Sequence, residues 1–245
     1  MALSKRQEHE IIHGQKLAAQ GAETIWGWGT PAGQLRAKRR AERIIAAANL
    51  RPGMRVLEIG CGTGNFTEIF AQTGAHITAV DISSELVDLA RSRHLPENVT
   101  VMCAAFEELD TNQPFDAVIG SSILHHLDIQ QAVQQIYKLL RSGGVMAFAE
   151  PNMLNPQVMV QKNIPWIKAR LGDSPDETAF FRWQIKRILL NAGFSNVVVE
   201  PLDWLHPGVP PAWIRAVLGL ETGLEKIPFI REFAGSLYFH ALKLD

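Results

Sequence analysis

From Leu50 to Glu150 the chain repeats one unit: a short run rich in Val and Ile, a turn signal, then a stretch at helical spacing. The runs are Met54–Ile59, His76–Asp81, Val99–Cys103, Phe115–Gly120 and Val145–Glu150. Strands that alternate with helices pair in parallel, because each helical crossover returns the chain across a face of the sheet. Such a chain is expected to fold as a doubly wound α/β layer that binds its ligands at the carboxyl ends of the strands. Between the fourth and fifth runs, Ile129, Ala132, Val133, Ile136, Leu139 and Leu140 mark one apolar helix face, with Asp128 as cap and Gly143 as stop.

Two further strands are expected, Val197–Glu200 and Ser236–Lys243. Ser174-Pro175-Asp176-Glu177 has the form of a helix start, with Ser174 capping, Pro175 first in the helix and Glu177 closing a capping box. Long connections over 151–176 and 201–233 are expected to cover a substrate, because loops of that length in a compact domain tend to be functional. The stretch Trp213, Ile214, Val217, Leu218, Leu220 and Leu224 is expected to pack on the sheet, with a membrane-touching cap as its alternative. Residues 1–49 carry two helical patterns and are expected to form a lid, leaving 50–245 as the main domain. Within the second pattern, Arg36, Lys38, Arg39, Arg40 and Arg43 have two readings: a solvated helix face or an anion patch.

Composition narrows the functional classes. With 24 Lys plus Arg against 25 Asp plus Glu, the net charge is −1, which removes any global electrostatic case for nucleic acid. The 47% of hydrophobic residues suit a packed core, yet no run reaches the ~18 apolar residues of a membrane span. The two cysteines, Cys61 and Cys103, have neither zinc nor redox-motif spacing and fit a reducing compartment. The charged N-terminus lacks the apolar core of a signal peptide, so the expected location is cytoplasmic.

The chemistry centres on Val56-Leu57-Glu58-Ile59-Gly60-Cys61-Gly62-Thr63-Gly64-Asn65-Phe66, a strand running into glycines at alternate positions and then a helix. Asp81 follows 21 residues after Gly60, where an acidic side chain can accept from both hydroxyls of a ribose. A dinucleotide oxidoreductase needs G-x-G-x-x-G, and Asn65 stands at its third glycine. That weakens the oxidoreductase reading.

The segment resembles the E-x-G-x-G-x-G motif of class I S-adenosylmethionine-dependent methyltransferases. Asp81-Ile82-Ser83, Phe115-Asp116-Ala117-Val118, Ser122-Ile123-Leu124-His125-His126-Leu127 and Leu140-Arg141-Ser142-Gly143-Gly144 are similar to later motifs of that family, in the right order. In the last of these, Ser142 replaces proline. The resemblance implies a Rossmann-like, seven-stranded, mostly parallel sheet with helices on both faces and an antiparallel last strand. It implies S-adenosyl-L-methionine as cofactor and S-adenosyl-L-homocysteine as product. Gly60, Cys61, Gly62 and Gly64 would form the loop at the methionine end, with Glu58 orienting it or reaching the ammonium through water. Asp81 would hold the ribose, Ile82 would pack on the adenine, and Ser121 would lie at the end of strand four. Ala104 stands where the family places an acidic residue, so the adenine contact is expected to rest on Ala105 or Phe106.

His125 and His126 follow strand four and are the candidate general bases, at most one of them catalytic and His125 ranked first. No metal site is expected: His9 and His13 lie one helical turn apart without a third ligand. Trp26 and Trp28 are placed for a lid, and Trp166, Phe180, Phe181, Trp183, Trp204 and Trp213 for an aromatic cover or for core. These features point to methyl transfer to O, N or C of a small, apolar or ring-bearing metabolite. The alternatives are a protein or nucleic-acid methyltransferase and a protein that binds the cofactor without turnover. Gly120-Ser121-Ser122 lacks the pattern of base N-methyltransferases. The acceptor and the oligomeric state are open.

Overall fold

The computed structural model describes residues 3–244, so the outer ends of the two expected segments, Met1, Ala2 and Asp245, lie outside the described residues. Seven strands form one sheet in the order β3-β2-β1-β4-β5-β7-β6. They are β1 (Arg55–Ile59), β2 (His76–Asp81), β3 (Val99–Cys103), β4 (Phe115–Ser121), β5 (Leu140–Pro151), β6 (Phe194–Leu202) and β7 (Ser236–Lys243). Strands β1 to β5 pair in parallel, while β7 runs antiparallel between β5 and β6. This is the doubly wound, mostly parallel sheet that the alternating pattern predicts. The strand order reverses direction at β1 and β4, which opens a crevice at their carboxyl ends.

The helices are α1 (Lys5–Gln20), α2 (Ala22–Ile25), α3 (Pro31–Ala48), α4 (Asn65–Ala71), α5 (Ser84–Ser92), α6 (Ile129–Leu139), α7 (Pro156–Asn163), α8 (Pro165–Arg170), α9 (Arg182–Asn191) and α10 (Ile214–Leu224). Side chains alternate across each strand. Leu57, Ile59, Val118 and Phe148 join the α6 and α9 residues Ile136 and Ile185 in one core. Val56, Ala117, Ile119 and Ala147 meet Ile44 of α3 and Phe70 of α4 in the other. Helix α1 lies against α5, where Gly14 permits close approach: a Cβ there would stand 2.5 Å from the Ser83 side chain.

Three local expectations fail for physical reasons. The Arg141–Gly144 turn is absorbed into β5, because Leu140 pairs with Phe115 across a register shift. Strand pairing thus begins directly after α6. At Ser174 no helix starts; the next one begins at Arg182. Ser174 N does donate to Glu177 Oε2 at 3.1 Å, but the Glu177 side chain is drawn inward by histidines. Helix α10 does not pack its apolar stripe on the sheet. Its one buried residue is Glu221, held by a bidentate pair with Arg39 at 2.8 Å, while Leu220 stays 67% exposed.

Candidate active site

The crevice at the ends of β1 and β4 opens into a cavity of about 770 Å³. Gly60 makes its floor. Its φ of +66° lies in the left-handed region, and a Cβ would come within 2.3–2.7 Å of three Ile123 side-chain atoms. Gly60→Ala is therefore expected to destabilise the fold by about 1–3 kcal/mol and to weaken cofactor binding. Thermal unfolding checks the first effect and calorimetry the second.

Asp81, at the end of β2, accepts from Gly62 N and from Ser83 N, both at 2.9 Å. One carboxylate thus fixes the glycine loop and the start of α5 and faces the cavity. Burial pushes the Asp81 pKa up, against the pull of these two backbone donors. Ile82, Cys61 and Ser121 also line the cavity, together with Phe106, which is 4% exposed and belongs to the core as well. Burial raises the Cys61 thiol pKa well above its ordinary value, so it stays a neutral filler.

Glu58, Gly64 and Ala105 stand behind this lining. Gly64 caps α4 at a φ of +80°, and Ala105 precedes the short turn Phe106–Glu108. Glu58 is 2% exposed, its pKa is pushed up by burial to about 8, and its Oε2 has no hydrogen-bond partner. The buried Ser121 Oγ also lacks one. The orphaned Ser121 hydroxyl, a glycine cradle and the Asp81 carboxylate form a donor and acceptor set that suits the amino-acid end and ribose of S-adenosylmethionine, with Glu58 behind the loop. Glu107, also in the lining, is an acidic group beside the expected adenine wall.

Beyond the cofactor end the cavity is walled by charge. On one side Arg36 and Arg40 turn inward from α3 and share Asp203, with both guanidiniums over the Trp28 ring. Arg40 is 3% exposed and also donates to Ser122 Oγ at 3.1 Å. Burial lowers its pKa to about 10, leaving it a cation at neutral pH. Ser122 itself has a φ of +60°, a strained turn at the end of β4. The basic helix therefore has a third fate besides solvent and anion patch: two arginines inward, with Arg39 on Glu221 and Arg43 on Glu200.

On the other side stand the two histidines. His125 Nδ1 lies 2.7 Å from Glu150 Oε2, and Glu150 Oε1 accepts from Ile123 N and Leu124 N at 2.9 and 2.8 Å. Burial alone would lower the His125 pKa, but Glu150 and Glu177 raise it to about 9. His126 Nδ1 lies 2.8 Å from Glu10 Oε2 and its Nε2 3.1 Å from Glu177 Oε1. Glu177 is held well below the usual carboxylate range by His126, His125 and Lys162, in spite of its burial.

Asp203 and Glu177 are site residues that the sequence reading missed, while Arg36 and Arg40 entered it only through the anion-patch alternative for the basic helix. Arg36 and Arg40 carry a findable signal, being four apart and so on one helix face. Glu177 was hidden by its resemblance to a capping residue. Of the expected aromatic cover, only Trp204 lines the cavity. Trp166, Trp183 and Trp213 are 68%, 59% and 65% exposed, and Phe180 is core.

Comparison with known proteins follows this geometry. The family described as a methyltransferase domain matches residues 56–144, the stretch from β1 into β5. The ubiquinone biosynthesis O-methyltransferase of Xanthomonas campestris pv. campestris is 37% identical over 113 residues, covering 44% of this chain and 47% of that one. The chain thus spans about half the length of that curated relative. The [4+2]-cyclase SpnF superposes with a TM-score of 0.69 at 19% identity, covering 100% of this chain and 98% of that one. A Haemonchus contortus phosphoethanolamine N-methyltransferase 2 in complex with S-adenosyl-L-methionine gives 0.63 at 18% identity, covering 90% of this chain and 56% of that one. At such identities the two structures attest the fold alone. Residues 56–144 thus match a methyltransferase domain, and the seven-stranded sheet built around them has the class I S-adenosylmethionine-dependent methyltransferase fold.

Proposed function

We propose that the protein transfers a methyl group from S-adenosylmethionine to O, N or C of a small, polar metabolite. The observation that carries this reading is the cavity itself, which joins the Gly60–Asp81 end to a chamber lined by Arg36, Arg40, His125, His126 and Glu177. Its volume of about 770 Å³ falls within the range of small-molecule sites. S-adenosylmethionine bound there supplies a methyl carbon activated by its sulfonium. Asp81 holds the ribose, the Gly60–Gly62 backbone receives the amino-acid end, Ile82 and Phe106 flank the adenine, and the Ser121 hydroxyl gains the partner it lacks.

Residues 3–49, with 151–176 and 203–208, are read as the cover. Arg6 Nη1 donates to the His126 carbonyl at 2.9 Å, His9 Nδ1 lies 2.7 Å from Asp176, and Ser174 donates to Glu10 at 2.5 Å. Trp26 lies 3.1 Å from where a Gly62 Cβ would stand, directly over the cofactor loop. This cover narrows the approach to the cofactor loop, which favours a small acceptor over protein or nucleic acid. Alignment in such a chamber supplies much of the rate of an in-line displacement. His125 and His126 remain the candidates for handling the acceptor's proton, yet each holds Nδ1 against a carboxylate and turns Nε2 toward Glu177. The arginine side, with two guanidiniums sharing one carboxylate, suits an acceptor with an anionic or strongly polar group.

Among the described residues no helix is long and apolar enough to cross a membrane. With Cys61 and Cys103 both free, a reducing cytoplasmic location is the reading that fits. The test is transfer of labelled methyl from S-adenosylmethionine into a native extract separated into small molecules, lipids, protein and nucleic acid. Label in the small-molecule fraction is expected. Label confined to protein or nucleic acid overturns the reading, and cofactor binding without any label favours the binding-only alternative.

A further inference from the structure

We propose that His125, His126 and Glu177 form a mononuclear site for a borderline divalent metal, open to the acceptor end of the cavity. The one candidate ligand atom of each residue lies within 4.8 Å of the other two. His126 Nε2 and His125 Nε2 stand 3.1 and 3.6 Å from the same Glu177 oxygen, Oε1. Two ligands bonded to zinc at ~2.0–2.1 Å in tetrahedral geometry lie about 3.3 Å apart. The two distances to Glu177 Oε1 bracket that value, and the third pair of atoms lies within 4.8 Å, so a small shift of the side chains would close the three around one ion.

The surroundings orient these three atoms and no others. Each imidazole commits Nδ1 to a carboxylate, His125 to Glu150 at 2.7 Å and His126 to Glu10 at 2.8 Å. This is the outer-shell arrangement that fixes the tautomer of a metal-bound histidine and leaves Nε2 for the ion. Glu177 likewise has its Oε2 engaged, by Lys162 Nζ and Ser174 N, both at 3.1 Å. Glu150 is anchored in turn by two backbone N–H groups.

Charge supports the assignment. Besides Glu177 itself, three carboxylates, Glu10, Glu150 and Asp173, stand around the cluster, and Lys162 pairs with Asp173 at 2.8 Å and with Glu177. Arg6 touches the His126 carbonyl, and the His13 ring lies 6.0 Å from that of His126. Two imidazoles and one carboxylate suit zinc, cobalt or ferrous iron better than magnesium or calcium.

Three protein ligands leave a coordination position free, and all three residues line the cavity. An acceptor hydroxyl bound there would lose its proton more readily, as water does on zinc. That role rests on the methyl-transfer reading; the metal site does not.

The test is titration of the full chain, stripped with chelator and free of S-adenosylmethionine, with Co²⁺ followed by visible absorption and with Zn²⁺ followed by calorimetry. One equivalent is expected to bind, with the Co²⁺ spectrum of a nitrogen–oxygen site of low coordination number. Glu177→Gln and His126→Gln are expected to weaken binding at least tenfold, and Glu10→Gln to weaken it less. Absence of saturable binding by the wild-type protein overturns the proposal, and that arm needs no variant to fold. Binding of equal strength in the wild type and both ligand variants, their fold verified by thermal unfolding, assigns the metal elsewhere and also overturns it.

Discussion

Replacing Asp81 with alanine is expected to weaken S-adenosylmethionine binding by at least tenfold in a chain that still folds. The carboxylate has two tasks. It accepts from Gly62 N and Ser83 N, which sets the glycine loop against the start of α5. It also presents its remaining lone pairs to the cavity, where a ribose places two hydroxyls. Each hydrogen bond to a charged group is worth ~1.5–3 kcal/mol, so losing both ribose contacts costs about 3 kcal/mol or more. By the affinity scale that is about 150-fold, and relaxation of the loop brings in water that recovers part of it. Asp81→Asn is expected to fall between wild type and alanine. Its amide oxygen can still serve one backbone donor, while its NH₂ faces the other. Calorimetry decides: wild-type affinity in a folded Asp81→Ala chain would remove the ribose assignment.

How far this site could be read from the chain depends on the range of each interaction. Strand spans and the Gly60–Asp81 relation are local or governed by period, so β1 to β4 and the cofactor loop were legible to within a residue. The antiparallel last strand followed from the resemblance rather than from any residue pattern, and its place between β5 and β6 is seen only in the structure. The acceptor chamber was not legible, because its contacts join residues distant in sequence. Arg40 meets Asp203 across 163 positions and His126 meets Glu10 across 116. Glu177 shows why local rules mislead: a serine followed three residues later by glutamate does form the Ser174–Glu177 hydrogen bond. The helix does not follow, since four of the next residues, 178–181, lead extended into α9 and pair Phe180 with Asn152. The aromatic cover is a different case. The rings that reach the cavity come from the N-terminal segment and residue 204, as Trp26, Trp28 and Trp204, while Trp166, Trp183 and Trp213 stay exposed.

The largest stability effect is expected at Asp203, a residue that no motif marks. Asp203 is 4% exposed and carries a φ of +82°, so the chain accepts a strained backbone to place its carboxylate. That carboxylate binds Arg36 Nε and, at 3.0 Å, Arg40 Nε, while Ser236 Oγ lies 3.4 Å away. Asp203→Asn preserves shape and tolerates the positive φ, so it isolates the charge. Without it two guanidiniums, 16% and 3% exposed, face each other with no shared counter-charge. Removing one partner of a buried ion pair costs ~3–5 kcal/mol, which in a chain of this size lowers Tm by about 6–20 °C.

The pH dependence identifies the cause. Burial opposes ionisation of Asp203, but Arg36 and Arg40 hold its pKa below the ordinary value of 3.8. A carboxylate with a depressed folded pKa stabilises fully above its unfolded pKa and loses that contribution as pH falls through the folded value. The gap between wild type and Asp203→Asn is therefore constant from neutral pH to about 5 and closes on further acidification. Denaturant unfolding of both proteins across this range measures it. A gap that persists unchanged to the lowest pH at which both still fold would mean that shape or backbone strain, and not the charge of Asp203, holds the two arginines in place.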